Sequence, residues 1–331
     1  MATYKGIKGV KVVTKATDPT ASEAVGTVWY NSTSPTALKY AIESGGAWAS
    51  GGNMNISKKY RGTCGTKDAA IAMGGNPYTG ETEKYDGTTW TEVADLNTPR
   101  MALGASGTST ACVVAGGYGV NASSPIDYNA AQTETWDGTS WTAVNPLNTA
   151  RQASGCIGKV STAAVIAGGV IATKTNISET WNGSTWTETN NLVSAHAEMA
   201  SIGTSTAGLL AAGYAPTWLK TVESYDGTCW TEGNDLNTAR AQPGGGGSST
   251  SALVYGGTTA PTTYIALTES YDGSSWTETA DLATAREAWA STGTDSTGSL
   301  AISGRTAPTT ITNVTEEFAD PAYAIKTVTI S

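Results

Sequence analysis

The chain has 331 residues, only 14 % of them charged, and a formal net charge of −9. Nucleic acid and anionic membrane surfaces both reward a cationic field, so neither is expected as a partner. The 39 glycines, with abundant Ser, Thr and Ala, mark a turn-rich β composition rather than disorder, because apolar runs such as ACVVAGG and TAAVIAGG recur at regular places.

The first residues, MATYKGIKGVKVV, lack an apolar core of signal-peptide length, and no run approaches a membrane span. No secretion address is expected from them. Lys5 to Lys15 alternates well enough for one strand, and ATDPTASEAVG reads as a loop. Thr27–Tyr30 and Ala37–Ile42 are strand-like runs flanking a Ser/Thr/Pro turn, and a third short strand holds Trp48.

From Arg61 onward the chain repeats. Trp90, Trp141, Trp186, Trp230 and Trp276 close the same short phrase at intervals of 51, 45, 44 and 46 residues. A period in this range signals a solenoid, a propeller or an array. Each repeat opens with a basic residue, at Arg61, Arg100, Arg151, His196, Arg240 and Arg286. It runs through a small-residue strand, then an apolar strand closed by Gly-Gly, as in RMALGASGTSTACVVAGG. Ala212–Gly213 and Ser303–Gly304 are imperfect copies of that doublet. The second half reads EKYDGTTWT, ETWDGTSWT, ETWNGSTWT, ESYDGTCWT or ESYDGSSWT. Asp-Gly or Asn-Gly between β-formers is the strongest local hairpin signal, since these residues tolerate the positive φ of tight turns. Two hairpins per repeat make four antiparallel strands, and nothing from Arg61 to Asp320 has sustained helical periodicity.

Four-stranded units of this length, stacked radially, make a β-propeller. Crowding near the axis favours Gly, Ala and Ser, and the aromatics fill the wedges between sheets. The pattern of four apolar residues, Gly-Gly, a downstream Tyr, a Trp and then a basic residue resembles the kelch family over residues 61 to 320. The aromatic-to-Trp spacing here is five, as in Tyr85 to Trp90. The expected fold is all-β: a six-bladed kelch-like propeller over residues 45–320, closed by the N-terminal strand holding Trp48. The last repeat lacks its fourth strand, and closure in this way would remove an exposed edge. A seventh, N-terminal blade is the alternative. Residues 1–44 and 321–331 would form a small β attachment module, with the final strand pairing on Val10–Thr14.

Candidate chemistry is sparse. Glu83, Glu134, Glu179, Glu223, Glu269 and Glu316 recur once per repeat, which offers one environment six times rather than the two unlike environments of an acid/base pair. They are expected to bond backbone or to pair with the repeated Arg of a neighbouring blade. Asp86, Asp137, Asp226 and Asp272 read as turn residues. His196 is the only histidine and fills the Arg slot. Cys64, Cys112, Cys156 and Cys229 show no zinc spacing. They read as small buried thiols, Cys64 and Cys156 lying apart in the ring. No catalytic residue, metal or cofactor is expected. Long loops carry aromatics outside the repeat, and Tyr118, Asp127, Tyr128, Tyr214, Trp218 and Tyr264 are the candidate ligand- or partner-binding residues.

The stretch GTVWYNSTSPTALKYAIESGGAW resembles a segment of bacteriophage virion proteins, tail fibres and other appendages above all, and the full chain resembles kelch-like structural proteins of phages. The resemblance implies a non-enzymatic, tail-associated component of the virion, present in several copies. It would contact other virion proteins, and its propeller loops would bind a host-surface glycan or those neighbours. A propeller-fold glycan hydrolase or lyase, a capsid decoration protein and a cellular kelch-type interaction module are the alternatives.

Overall fold

A computed structural model describes residues 12–20, 27–33, 37–43, 46–119, 129–295, 298–319 and 323–327. Those residues form strands, turns and bridges and no helix. The chain divides into two units, residues 1–47 with 320–331, and residues 48–319.

The terminal unit holds one four-stranded sheet, ordered Val12–Lys15, Val28–Asn31, Ala37–Glu43, Tyr323–Thr327. The first pair is parallel and the other two are antiparallel. The final strand therefore does not pair on Val10–Thr14 as expected. Val12–Lys15 pairs only with Val28–Asn31 and stays at one edge of the sheet; the final strand pairs with Ala37–Glu43 instead, setting Tyr40 opposite Lys326. Trp29 is buried, with Ile325 packed against it. Asp18 ties the sheet together, accepting from Trp29 Nε1 at 3.0 Å and Asn31 Nδ2 at 2.6 Å and pairing with Lys39. Those three donors, Lys39 first, pull its carboxyl down to about 2.

The larger unit contains six four-stranded antiparallel sheets. Five are built from consecutive strands of one repeat. The first is Gly62–Thr66, Ala69–Met73, Thr82–Tyr85 and Trp90–Val93, and the fifth is Gly244–Ser248, Ser251–Tyr255, Thr268–Tyr271 and Trp276–Thr279. The sixth joins Ser291–Asp295, Gly298–Ala307 and Thr310–Ala319 to Ala47–Ser50. First strands touch those of the next sheet in sequence, and Ser291–Asp295 touches Gly62–Thr66. This architecture is all-β and propeller-like.

The residues explain the layers. The middle of the second strand of each sheet is buried on both faces, wholly so in Cys112–Ala115 and all but its first residue in Ala69–Met73, because sheets pack on both sides of it. The outer strand buries only its leading Trp, and the residues that follow face water, as in Trp186–Thr189. That Trp wedges against the preceding sheet. The indole nitrogens of Trp90, Trp186 and Trp48 donate to Thr315, Thr133 and Thr268 at 3.0–3.1 Å. Those of Trp141 and Trp276 donate to carbonyls at 3.0 Å. Trp48 also meets Tyr255 and Phe318 edge-on, with centroids 4.6 and 5.3 Å away.

The third-to-fourth strand turns are held by the repeated Asp. Asp272 Oδ1 accepts from the amides of Ser274 and Ser275 at 2.8 and 2.7 Å, and Asn182 does the same for Ser184 and Thr185. These bonds, made to the ionised form, pull Asp272 down to about 2 and also lower Asp86, Asp137 and Asp226. A depressed carboxyl contributes stability that is fully present above its unfolded pKa, near 4, and is lost as pH falls through the folded value. Acid unfolding curves should therefore steepen below about pH 4. Changing the four Asp to Asn, on the pattern of Asn182, should keep the turns and flatten that limb. Identical acid limbs in the two proteins would refute this account.

The Gly-Gly doublet joins neighbouring sheets. The second glycine donates its amide to the carbonyl of the next repeat's basic residue: Gly75 to Arg100, Gly117 to Arg151, Gly169 to His196, Gly213 to Arg240 and Gly257 to Arg286, all within 3.0 Å. The first glycine has positive φ, +68° at Gly74, and a Cβ there would stand 2.4 Å from the Arg100 carbonyl oxygen. Gly74→Ala should therefore lower stability by about 1–3 kcal/mol, read as a shift in denaturation midpoint.

Candidate functional site

The larger unit holds a set of buried ion pairs, one in each of five sheets. Arg61, Arg100, Arg151, Arg240 and Arg286 pair with Glu83, Glu134, Glu179, Glu269 and Glu316. Each Arg pairs with the Glu of its own sheet, not of a neighbour as expected, because the linker carrying it folds back over that sheet's third strand. The same Glu reaches the linker before its Arg. Its second oxygen accepts an amide at 2.6–2.8 Å from Asn55, Asn97, Asn148, Val193, Asn237 or Ala283. Arg240 also donates to the Leu267 carbonyl at 2.7 Å. Burial pushes all five guanidinium pKa values down, and the partner carboxylates oppose it. The six repeated glutamates are thus committed to structure.

His196 occupies the same slot in the fourth sheet. Its Nδ1 lies 2.9 Å from the Ser194 carbonyl and 3.8 Å from Glu223. Burial lowers its pKa and raises that of Glu223. The imidazole is too short to span the carbonyls that Arg reaches elsewhere.

Around the axis runs a chain of backbone hydrogen bonds. The amides of Ala102, Ala153, Glu198, Gln242 and Ala288 donate in turn to the carbonyls of Tyr60, Ala102, Ala153, Glu198 and Gln242, at 2.8–3.1 Å. The five accepting residues hold φ between 54° and 66°. Such conformations cost of order 1 kcal/mol or more for a residue with a side chain, and they persist only where the surroundings over-determine them.

Side chains gather on this ring. Tyr60 and Trp289 meet edge-to-face at 5.3 Å. Glu287 is 1 % exposed, and Arg305 Nε donates to its Oε1 at 2.9 Å. Its Oε2 is buried with no partner among the described residues. Lys59 stands over the Tyr60 ring at 4.8 Å and Arg305 over Tyr264 at 5.6 Å. Burial, then the charge of Glu287, pushes the Tyr60 phenol up to about 12. Burial raises Glu198 and Glu287, and Lys174 and Arg305 respectively oppose the rise.

Four of the sequence-expected residues are described, in three places. Tyr264 joins this cluster through Arg305. Tyr214 and Trp218 pack edge-on at 5.4 Å, with Lys174 4.5 Å from the Tyr214 ring. Tyr118 lies against Tyr78 at 5.5 Å and pairs with Met101. Asp127 and Tyr128 fall outside the described residues. Sequence reasoning missed Tyr60, Glu198, Gln242, Glu287, Trp289 and Arg305. A signal was present in the aligned openings RMA, RQA, HAE, RAQ and REA, where the acidic Glu198 and Glu287 stand among uncharged residues.

An axial cavity of about 80 Å3 descends from Trp289 between the first strands, lined by Cys64, Ser106, Cys156, Ser201 and Ser291. At about 10–15 Å3 per water it holds several waters and no sugar ring, so a larger ligand entering from Trp289 stays at the mouth; a second cavity of about 230 Å3 is lined by Thr66, Thr108, Lys159, Thr204 and Ser248. Cys64 and Cys156 are therefore not held apart. Their places do not match in register, Cys64 facing Ile71 and Cys156 facing Ile166, yet both line the axial cavity; burial raises both pKa values, with Cys112 adding to it at Cys64 and Cys64 at Cys156. Cys229 is also not the buried thiol expected, being half-exposed in its turn. Among the described residues no group of three or more His, Cys, Asp or Glu is placed to hold a metal.

No protein-family model matches the chain, and no curated protein matches it. Among solved structures, the chain is similar to that of YjhT, with a TM-score of 0.68 and 12 % identity over 82 % of this chain and 99 % of that one. At that identity the likeness concerns the fold alone.

Proposed function

We propose that the chain is a non-enzymatic structural component of a bacteriophage virion, tail-associated, that presents a six-bladed propeller closed into a ring by Ala47–Ser50. The observation that carries this reading is the terminal unit. Residues from both ends of the chain share one sheet, and the residues resembling phage appendage proteins, Val28–Asn31 and Ala37–Glu43, are its central strands. An attachment module made of both termini leaves the loops of the larger unit to meet a host-surface glycan or neighbouring virion proteins. The cyclic contacts of the first strands and the Trp48 packing support the six-bladed, closed reading. The binding assignment of the repeated glutamates to structure supports a scaffold rather than a catalyst. Mass spectrometry and imaging of purified particles test the proposal: the chain should be found on the virion in multiple copies, and its absence from the particle would sink the idea.

A second reading, a propeller-fold glycan hydrolase or lyase, is favoured by one observation, the two carboxylates Glu198 and Glu287 on the axial ring. It predicts new reducing ends when the protein is incubated with host polysaccharide.

A further inference from the structure

We propose that the axial mouth formed by Tyr60, Glu198, Tyr264, Glu287, Trp289 and Arg305 is a binding site for an uncharged pyranose unit of a glycan. This deepens the proposed function and rests on its reading of the loop end as the recognition surface.

The open valences define the ligand. Glu287 is almost wholly buried, yet Oε2 has no partner among the described residues, and the buried Tyr264 hydroxyl has none either. A buried polar atom without a partner costs about 1–3 kcal/mol, so both positions reward a ligand that brings hydroxyl groups. A carboxylate oxygen only accepts, so the group that meets Glu287 Oε2 must carry a proton to donate, which an ionised carboxylate or sulfate does not. A cationic ligand would meet Lys59, Arg305 and Lys174, which outnumber the carboxylates Glu198 and Glu287. A neutral, donor-rich molecule satisfies both limits. The half-exposed Trp289, held edge-on by Tyr60, adds an apolar surface suited to the C–H face of a sugar ring. The site is built in advance: backbone bonds run from Tyr60 round to Ala288, so little ordering is lost on binding. The narrow cavity below excludes the ring from the axis and keeps it at the mouth.

The test presents the full chain to an array of neutral, sialylated and uronic-acid-bearing glycans, followed by calorimetry with the neutral oligosaccharide bound best. Neutral glycans should bind and the anionic ones should not. Tyr264→Phe removes only an unpartnered hydroxyl and should keep the fold while weakening binding about 5- to 10-fold. Trp289→Ala should abolish measurable binding. Glu287→Gln should weaken it at least 10-fold, with folding checked by circular dichroism. Binding only of anionic glycans, binding of none, or affinity unmoved by both Tyr264→Phe and Trp289→Ala overturns the proposal. Virions that carry the chain while the mouth takes no glycan overturn this inference and leave the virion reading standing. Neutral-glycan binding by a chain absent from virions does the reverse.

Discussion

Arg240→Ala is expected to lower unfolding free energy by about 3–5 kcal/mol, the penalty for leaving a buried charge without its partner. Glu269 is 2 % exposed and lies 2.6 Å from Arg240 Nη2. Removing the guanidinium strands that carboxylate and also the carbonyls of Gly256 and Leu267 that it bonds. In many proteins, replacing both members of a buried pair by apolar residues restores stability. Here Arg240→Met with Glu269→Leu should not, because Glu269 also accepts the amides of Asn237 and Thr238 and the Asn237 side chain. Those donors would lose their acceptor inside the linker. His196→Ala supplies the contrast. Its imidazole makes one short contact, so the cost should be clearly smaller. Denaturant midpoints of the four proteins measure the differences, and full recovery in the double variant would show that the linker bonds contribute little.

Trp90→Ala should cost a similar amount, about 3–5 kcal/mol, and its meaning is different. Trp90 stacks on Tyr85 at 4.9 Å and packs in one buried cluster with Ala290, Leu300 and Ile302 of the sixth sheet. Its indole nitrogen donates to Thr315 Oγ1 at 3.1 Å. Those contacts join the first repeat to the last, so the substitution weakens the seam between chain-distant sheets. Trp230, whose indole nitrogen has no partner among the described residues, separates packing from hydrogen bonding. Trp90→Phe should cost about 1 kcal/mol more than Trp230→Phe. Equal losses for the two Phe variants would remove the Thr315 bond from the account. Melting followed by tryptophan fluorescence and calorimetry reads both comparisons.

Much of the architecture is legible in the residues because the repeat restates it. Asp-Gly before each Trp marks a tight turn, Gly-Gly marks a backbone contact, and the alternation between them marks strands. Pairing in trans is less legible. The repeated Arg and Glu announce a buried pair, but not that the Arg bonds the Glu of its own sheet. That outcome depends on how the linker from Leu236 to Arg240 folds back over the third strand, with Leu236 buried beneath it. The terminal strand offers the same lesson. Tyr323–Thr327 matches either open edge of the sheet by pattern, and only the tertiary structure shows that it pairs antiparallel with Ala37–Glu43 and not with Val12–Lys15. For the candidate site, loop aromatics are visible as departures from the repeat, and Tyr264 is among them. Glu287 is visible only as a departure within the aligned openings, and Arg305 not at all, since it resembles an ordinary surface charge until its place beside Glu287 is known.

The amino-acid order by itself determined the strands, the turns, the small-residue inner strands and the Trp wedges, because each rests on interactions within one repeat or on steric demands restated in all of them. Only the tertiary structure decided which side chains meet on the axis. Tyr60 precedes the first repeat, Glu198 opens the fourth, and Glu287 and Arg305 belong to the sixth, at places that no local periodicity relates. Their meeting follows from the packing of the sheets, which brings the repeat openings and the residue after one doublet together, where a single departure from the small-residue rule changes the chemistry of the whole mouth.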